Sequence, residues 1–234
     1  SFRYSVPSWW FRLEDHDTTA VPLPFRERGT GRKLEELGVR PSEVFPVPSI
    51  WPTFKRDLVT VTPAHYLESV YSNYTSGGTR RLGYDGVEHA LELAATAVRE
   101  ATAPSLTYLY LPQYDSTAHE RGTLHDESME VLARIDRGIE QLARGFPEGT
   151  RMVAVADHGQ VDTSEDARVG IGPDDPLMEF LEYEPTGEVG VPFFKVAASR
   201  RREFGEMFEE RWGELFALLR REDAEELGLF GPER

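Results

Sequence analysis

Two pairs of residues with metal-ligating chemistry stand out in the 234-residue sequence: Asp115 with His119, four positions apart, and the adjacent Asp157 and His158. If the stretch Asp115-Ser116-Thr117-Ala118-His119 is helical, its spacing stacks a carboxylate and an imidazole on one face. In Asp157-His158-Gly159, a chain leaving an extended strand lets two neighbouring side chains reach one ion, and Gly159 permits the tight exit. Asp and His are both zinc ligand types. The chain has no cysteine, so disulfides and thiolate sites are excluded and any transition metal must be held by His and carboxylates. Each pair alone has a plainer reading: Asp115 as a helix-start cap, and Asp157-His158 as a turn with a core-facing histidine. Together they weigh more, because one helix of crossover length separates them and would bring them to neighbouring strand ends.

The elements that must position these pairs are read from hydrophobic period. Val87, Ala90, Leu91, Ala94, Ala95 and Val98 follow the i, i+3, i+4, i+7 spacing of an amphipathic helix over about 85–102. Ser105 to Leu111 reads as a strand, ended by Pro112. Met129, Leu132, Ile135, Ile139 and Leu142 indicate a second helix, closed by Gly145 and Pro147. Met152 to Ala156 is a short apolar run, expected to be a buried strand. Val191 to Ala197 suggests one more strand, and Phe204, Met207, Phe208, Trp212, Leu215, Phe216 and Leu219 outline a last helix of about 17 residues. The alternation of helix and strand predicts an α/β layered sandwich with a mostly parallel central sheet. Ligands in such sheets bind at the carboxyl ends of strands, which is where both Asp/His pairs fall.

Residues 1–60 differ, with Pro7, Pro22, Pro24, Pro41, Pro46, Pro48 and Pro52 interleaved with Trp9, Trp10 and Trp51. That composition predicts irregular loops pinned by aromatic side chains that fill a small satellite core. The expected organisation is part of one catalytic domain, with a loop-rich layer over about 1–80 and an α/β core segment over about 85–234. Lys+Arg of 26 against Asp+Glu of 41 gives a net charge of −15, which repels nucleic acid over most of the surface. A small phosphate ester is not excluded, because a bound divalent cation reverses the potential inside one pocket. No stretch approaches a membrane span and residues 1–20 show no apolar signal region, so a cytoplasmic location is the default expectation.

Tyr108-Leu109-Tyr110-Leu111-Pro112-Gln113-Tyr114-Asp115-Ser116-Thr117-Ala118-His119-Glu120-Arg121-Gly122 is followed by Val153-Ala154-Val155-Ala156-Asp157-His158-Gly159-Gln160-Val161-Asp162. These stretches resemble the central metal motifs of the type I phosphodiesterase/nucleotide pyrophosphatase family of the alkaline phosphatase superfamily. Weaker resemblance extends through Leu23 to Gly29 and Glu226 to Gly231, so it covers most of the chain. It implies an alkaline phosphatase-like fold and a hydrolase acting on phosphodiester or nucleotide pyrophosphate bonds with two divalent ions, most commonly zinc. Asp115 and His119 would hold one zinc with a later histidine. Asp157 and His158 would hold the other with an upstream Asp and a Thr or Ser nucleophile. No residue here matches the nucleophile, which the family places before the segment corresponding to Ser1, and His158 is the last histidine in the chain. The sequence therefore looks truncated at both ends, and no catalytic nucleophile is assigned within it.

Related readings are a phosphomonoesterase, sulfatase or phosphomutase with a similar metal core, or a catalytically dead binding module. The expected partner is a small phosphate ester or nucleotide, with neither duplex nucleic acid nor membrane. Gln160 and Asp162 follow the second motif closely enough to orient a ligand carboxylate or fix an imidazole tautomer. Glu14-Asp15-His16-Asp17 reads as a solvated acidic loop, His89 as a surface residue, and Arg200-Arg201-Arg202 as solvated charge. His65 and His125 have no partner at ligand spacing.

Overall fold

The computed structural model describes residues 9–231; residues 1–8, including Pro7 and the start of the loop-rich segment, lie outside the described residues. The strands are β1 (Phe11–Leu13), β2 (Thr18–Val21), β3 (Arg26–Glu27), β4 (Asp57–Pro63), β5 (Arg80–Tyr84), β6 (Ser105–Leu109), β7 (Thr186–Gly187) and β8 (Pro192–Phe193). The α-helices are α1 (Pro41–Val44), α2 (Val70–Thr75), α3 (Val87–Arg99), α4 (Gln113–Arg121), α5 (Asp126–Gly145), α6 (Arg201–Trp212) and α7 (Arg221–Glu226). They divide into two compact units, one of residues 41–162 and one of residues 1–40 with 163–234.

The unit of residues 41–162 is built on a parallel three-stranded sheet of order β5-β4-β6. β4 is central because Val59-Thr60-Val61-Thr62 offers β-branched side chains on both faces, the composition a doubly covered strand needs. Val61 pairs in register with Leu82 on β5 and Leu109 on β6. α3 connects β5 to β6 across β4 and packs on all three strands. Its inward residues Ala90, Ala94 and Ala97 are small, which lets the helix axis lie close to Val59, Val61 and Tyr84. Burial of each valine contributes about 1.5–3 kcal/mol. α5 packs against α3 and α4, burying Ile135, Gly138 and Leu142.

The expected helix over 85–102, the strand from Ser105 and the helix around 129–142 all form, as α3, β6 and α5. β4 and β5 are additional strands inside the segment read as loop-rich, and the run Val59-Thr60-Val61-Thr62 was the signal for the first. The expected strand at Met152–Ala156 does not form: residues 151–156 carry no regular structure, and Val153 and Val155 are 83% and 86% exposed. β6 stands at the edge of the sheet, and no described strand pairs with this run. Apolar composition suits a buried strand, but only a neighbouring backbone supplies the ladder bonds that make one.

The other unit holds the antiparallel sheet β1-β2-β3 and the β7-β8 hairpin, joined where Trp10 bridges Gly187. Its core is aromatic: Phe180, Phe204, Phe208 and Trp212 surround Leu177 and Val196, with the Phe208 and Trp212 rings edge to face at 5.4 Å. The expected strand over Val191–Ala197 is reduced to β8 and a single bridge from Leu181 to Val196. The last helix is shorter than its periodicity suggests. α6 stops at Trp212 before Gly213, and Leu215 and Leu219 remain exposed because the cluster that anchors the helix ends at Trp212.

Asp175 accepts two hydrogen bonds from Arg211, at 2.6 and 2.7 Å, and one from the Leu177 N–H at 2.9 Å. The Arg211 hydrogen bonds hold the Asp175 carboxyl well below its ordinary 3.8, at about 2. A carboxyl depressed in the folded state stabilises the fold fully above its unfolded value and loses that contribution as pH falls through the folded one. Asp175→Asn should therefore lower stability at neutral pH and flatten its decline between pH 3.8 and about 2, read by urea unfolding at each pH. In the sheet unit, a Cβ at Gly83 would lie 2.6 Å from Leu67 Cδ1 and 3.0 Å from the Ala64 backbone. Gly83→Ala is expected to cost about 1–3 kcal/mol, measurable in the same assay.

Candidate metal centre

The site is assembled at the carboxyl end of β6. Tyr84, 2% exposed at the end of β5, donates its hydroxyl hydrogen to the Tyr110 carbonyl at 2.7 Å. The Tyr84 hydroxyl oxygen in turn accepts from Gln113 Nε2 at 2.9 Å. Gln113 opens α4 directly after Pro112, so this chain of bonds fixes where the helix begins. α4 then places Asp115 and His119 one turn apart, with His119 Nε2 3.4 Å from Asp115 Oδ1, as the four-residue spacing predicts. Gly122 ends the helix at φ 106°, a left-handed conformation that favours glycine.

The second pair arrives on an irregular segment rather than on a strand. His158 Nε2 lies 3.9 Å from Asp115 Oδ1 and 3.8 Å from Asp157 Oδ2. Gln160 Nε2 donates to the same Asp115 Oδ1 at 2.5 Å. Asp115 Oδ1 thus lies within 4 Å of both imidazoles and accepts from the Gln160 amide, while Asp157 approaches only His158 among these groups. Their side chains are 43–79% exposed. Asp162 sits further along, with Oδ1 and Oδ2 accepting from the N–H and hydroxyl of Thr123.

His158 Nδ1 is 2.9 Å from the Gly159 carbonyl, which can only accept, so Nδ1 carries the proton. In the neutral ring the Nε2 lone pair then faces the Asp115 and Asp157 carboxylates. Three acceptors turned toward one another are relieved by a proton or a cation between them. A backbone carbonyl on the far ring nitrogen is also the usual partner of a metal-bound imidazole. The donor chemistry therefore fits a divalent ion. The geometry is open, since no three His, Asp or Glu side chains among the described residues converge tightly enough to hold one.

The Tyr110 motif position carries no ligand signal in the sequence, yet burial, then Tyr66, Asp157 and Asp115, push its phenol up to about 12. Tyr108 is raised for similar reasons, burial first, then Tyr71 and Asp157. Tyr108 lies in β6 and Tyr110 just beyond its last residue, Leu109. Three of the other histidines make local contacts away from this cluster. His65 lies against the Tyr66 ring at 4.2 Å, His89 Nδ1 accepts the Asp85 N–H, and His125 Nδ1 accepts the Glu127 N–H at the start of α5. Tyr71 and Tyr74 pack on Phe45, but Trp9, Tyr66 and Tyr71 are exposed and neither core cluster contains a loop aromatic, so the expected satellite core amounts to ring contacts near the surface. A cleft of about 370 Å³ lies beside α4, lined by Tyr66, Tyr84, Pro112, Gln113, Ser116 and Arg134.

Residues 11–211 match the family model of type I phosphodiesterase / nucleotide pyrophosphatase. The chain belongs to that family. Through it the chain joins the alkaline phosphatase superfamily, whose fold agrees with a parallel sheet flanked by helices. No curated protein and no solved structure matches the chain significantly. Membership in the phosphodiesterase/nucleotide pyrophosphatase family supports phosphoric ester hydrolysis in general, on small phosphate esters or nucleotides and with divalent metals. Among the described residues no helix is long and apolar enough to cross a membrane.

The contact between the two motifs is open to a direct test. A double-mutant cycle with Gln160→Ala and Asp115→Ala should give a coupling of about 1 kcal/mol in metal-free unfolding. Coupling indistinguishable from zero would mean that the Gln160 bond is absent in solution.

Proposed function

We propose that this chain carries the central ligand set of a phosphodiester or nucleotide pyrophosphate hydrolase, with Asp115, His119, Asp157 and His158 holding a divalent ion, zinc by preference. The observation that supports the reading is the placement of both imidazoles within 4 Å of the one Asp115 oxygen. Mixed imidazole and carboxylate donors without sulfur suit zinc. When bound, divalent ions in such a site stabilise the attacking and leaving oxygens of a displacement at phosphorus.

The chain's own residues prepare that site. Asp115 acts as the shared centre, and Gln160 restrains its carboxylate to one rotamer. The Gly159 carbonyl holds His158 in the tautomer that exposes Nε2. Tyr108 and Tyr110 keep neutral phenols beside two carboxylates, adding hydrogen-bond capacity without adding charge. The cleft beside α4 is of small-molecule size, but none of the four proposed ligands lines it. On this reading the family's Thr or Ser nucleophile and its further ligands come from sequence outside these 234 residues, because none of them matches those roles.

Four ligands, drawn together around an ion, would serve one ion and fall short of two, since catalytic zinc sites usually have three protein ligands each. The 234-residue chain should therefore bind at most one zinc, weakly, and should not turn over an aryl phosphodiester. Calorimetric zinc titration and a diester assay measure both. Two tightly held ions per chain, or turnover that disappears in Asp157→Ala, would show that the missing groups are supplied from within this sequence or by a second copy. A protein extended in both directions by its coding sequence should hydrolyse the diester with zinc. Its failure to do so would favour the catalytically dead binding module.

A further inference from the structure

We propose that Asp162 is a positioning residue: its carboxylate, forked onto Thr123, sets the Asp157-His158 segment against α4. The inference takes its functional meaning from the metal-site reading above. Residues 151–162 have no strand or helix to hold them, so the place of His158 depends on side-chain contacts. Gln160 supplies one, on Asp115. That hydrogen bond fixes one point of the segment, not its orientation. Asp162 adds two more on one residue, Oδ1 from the Thr123 N–H and Oδ2 from the Thr123 hydroxyl, both at 2.8 Å. A bidentate grip fixes orientation as well as distance.

The receiving end is rigid. Gly122 N–H donates to the Ala118 carbonyl at 2.8 Å, closing α4, and the Gly122 carbonyl accepts from Ser128 Oγ at 2.8 Å. Ser128 is fully buried in the first turn of α5, so the turn bearing Thr123 is fastened to both helices. A Cβ on Gly122 would stand 3.6 Å from Asp162 Oδ1 at φ +106°, so the carboxylate lies directly against this turn. The grip is four residues beyond His119, whereas Gln160 acts at Asp115. The segment is thereby held near both ends of the α4 ligand pair, and Asp157 and His158 are presented to it at a set distance.

The experiment measures ¹⁵N backbone order parameters for residues 157–161 in the metal-free chain, followed by zinc titration of the same samples. In Asp162→Ala the segment should fall from about 0.85 to below about 0.6, while the exposed position leaves the melting temperature of the unit almost unchanged. Asp162→Asn should keep the order, because its amide oxygen still accepts the Thr123 N–H and its NH₂ donates to the hydroxyl, which reverses its role. Thr123→Val, which loses only the hydroxyl bond, should lie between them. Zinc affinity should fall about 10–100-fold in Asp162→Ala and far less in Asp162→Asn.

Unchanged order in Asp162→Ala overturns the inference. Equal damage from Asn and Ala also overturns it, since the carboxylate would then matter for its charge or as a ligand itself. Order that depends on Asp162 in a parent chain that binds no zinc would leave the positioning role standing and defeat the metal-site reading instead.

Discussion

The position of α4 depends on the buried phenol of Tyr84. A hydroxyl in the core must find partners or cost several times what its hydrogen bond returns. Tyr84 finds them at the Tyr110 carbonyl and at Gln113, joining the ends of β5 and β6 to the first residue of α4. Because Tyr84 belongs to the cluster with Val61 and Ala90, the helix start inherits the rigidity of the sheet. Asp115 and His119 are then placed by helical geometry alone. The α4 half of the site rests on this joint between a packed core and a polar helix.

The charge of the site follows a different logic from that of its frame. A protein with a net charge of −15 that gathers Asp115 and Asp157 around imidazole nitrogens concentrates acceptors where its whole surface already repels anions. A cation bound there would relieve the local conflict and give an acidic protein one place that attracts a phosphate ester. The neutral tyrosines nearby fit the same pattern. Their phenols are driven upward, first by burial and then by the surrounding oxygens, so they remain donors across the physiological range.

The two halves of the site differ in how they are held. Asp115 and His119 ride on a helix whose start and end are both fixed by hydrogen bonds, and their separation is a property of the backbone. Asp157 and His158 have no such support. Their location comes from Gln160 and Asp162, side chains that follow them in sequence and reach back to α4 and the turn beyond it. Such a segment is stable only where its contacts are made, the condition under which local opening is cheapest.

By itself the sequence determined which donor types stand at Asp115, His119, Asp157 and His158 and the elements with a clear period. The i, i+4 spacing of Asp115 and His119, the absence of cysteine and the alternating helix and strand from Val87 to Gly145 follow from residue order, because helical geometry and hydrophobic period are local properties. The motifs also carried the family resemblance, which the match over residues 11–211 bears out. Tertiary structure decided the rest. Met152 to Ala156 has the composition of a buried strand yet lies exposed, since strand formation requires a neighbour that composition cannot name. Val59-Thr60-Val61-Thr62 became the central strand because β5 and β6 both pair with it. That Gln160 restrains Asp115 across 45 positions, and that Asp162 grips Thr123 across 39, are contacts between residues far apart in the chain. They arise where the folded backbone brings donor to acceptor, and no local pattern encodes them.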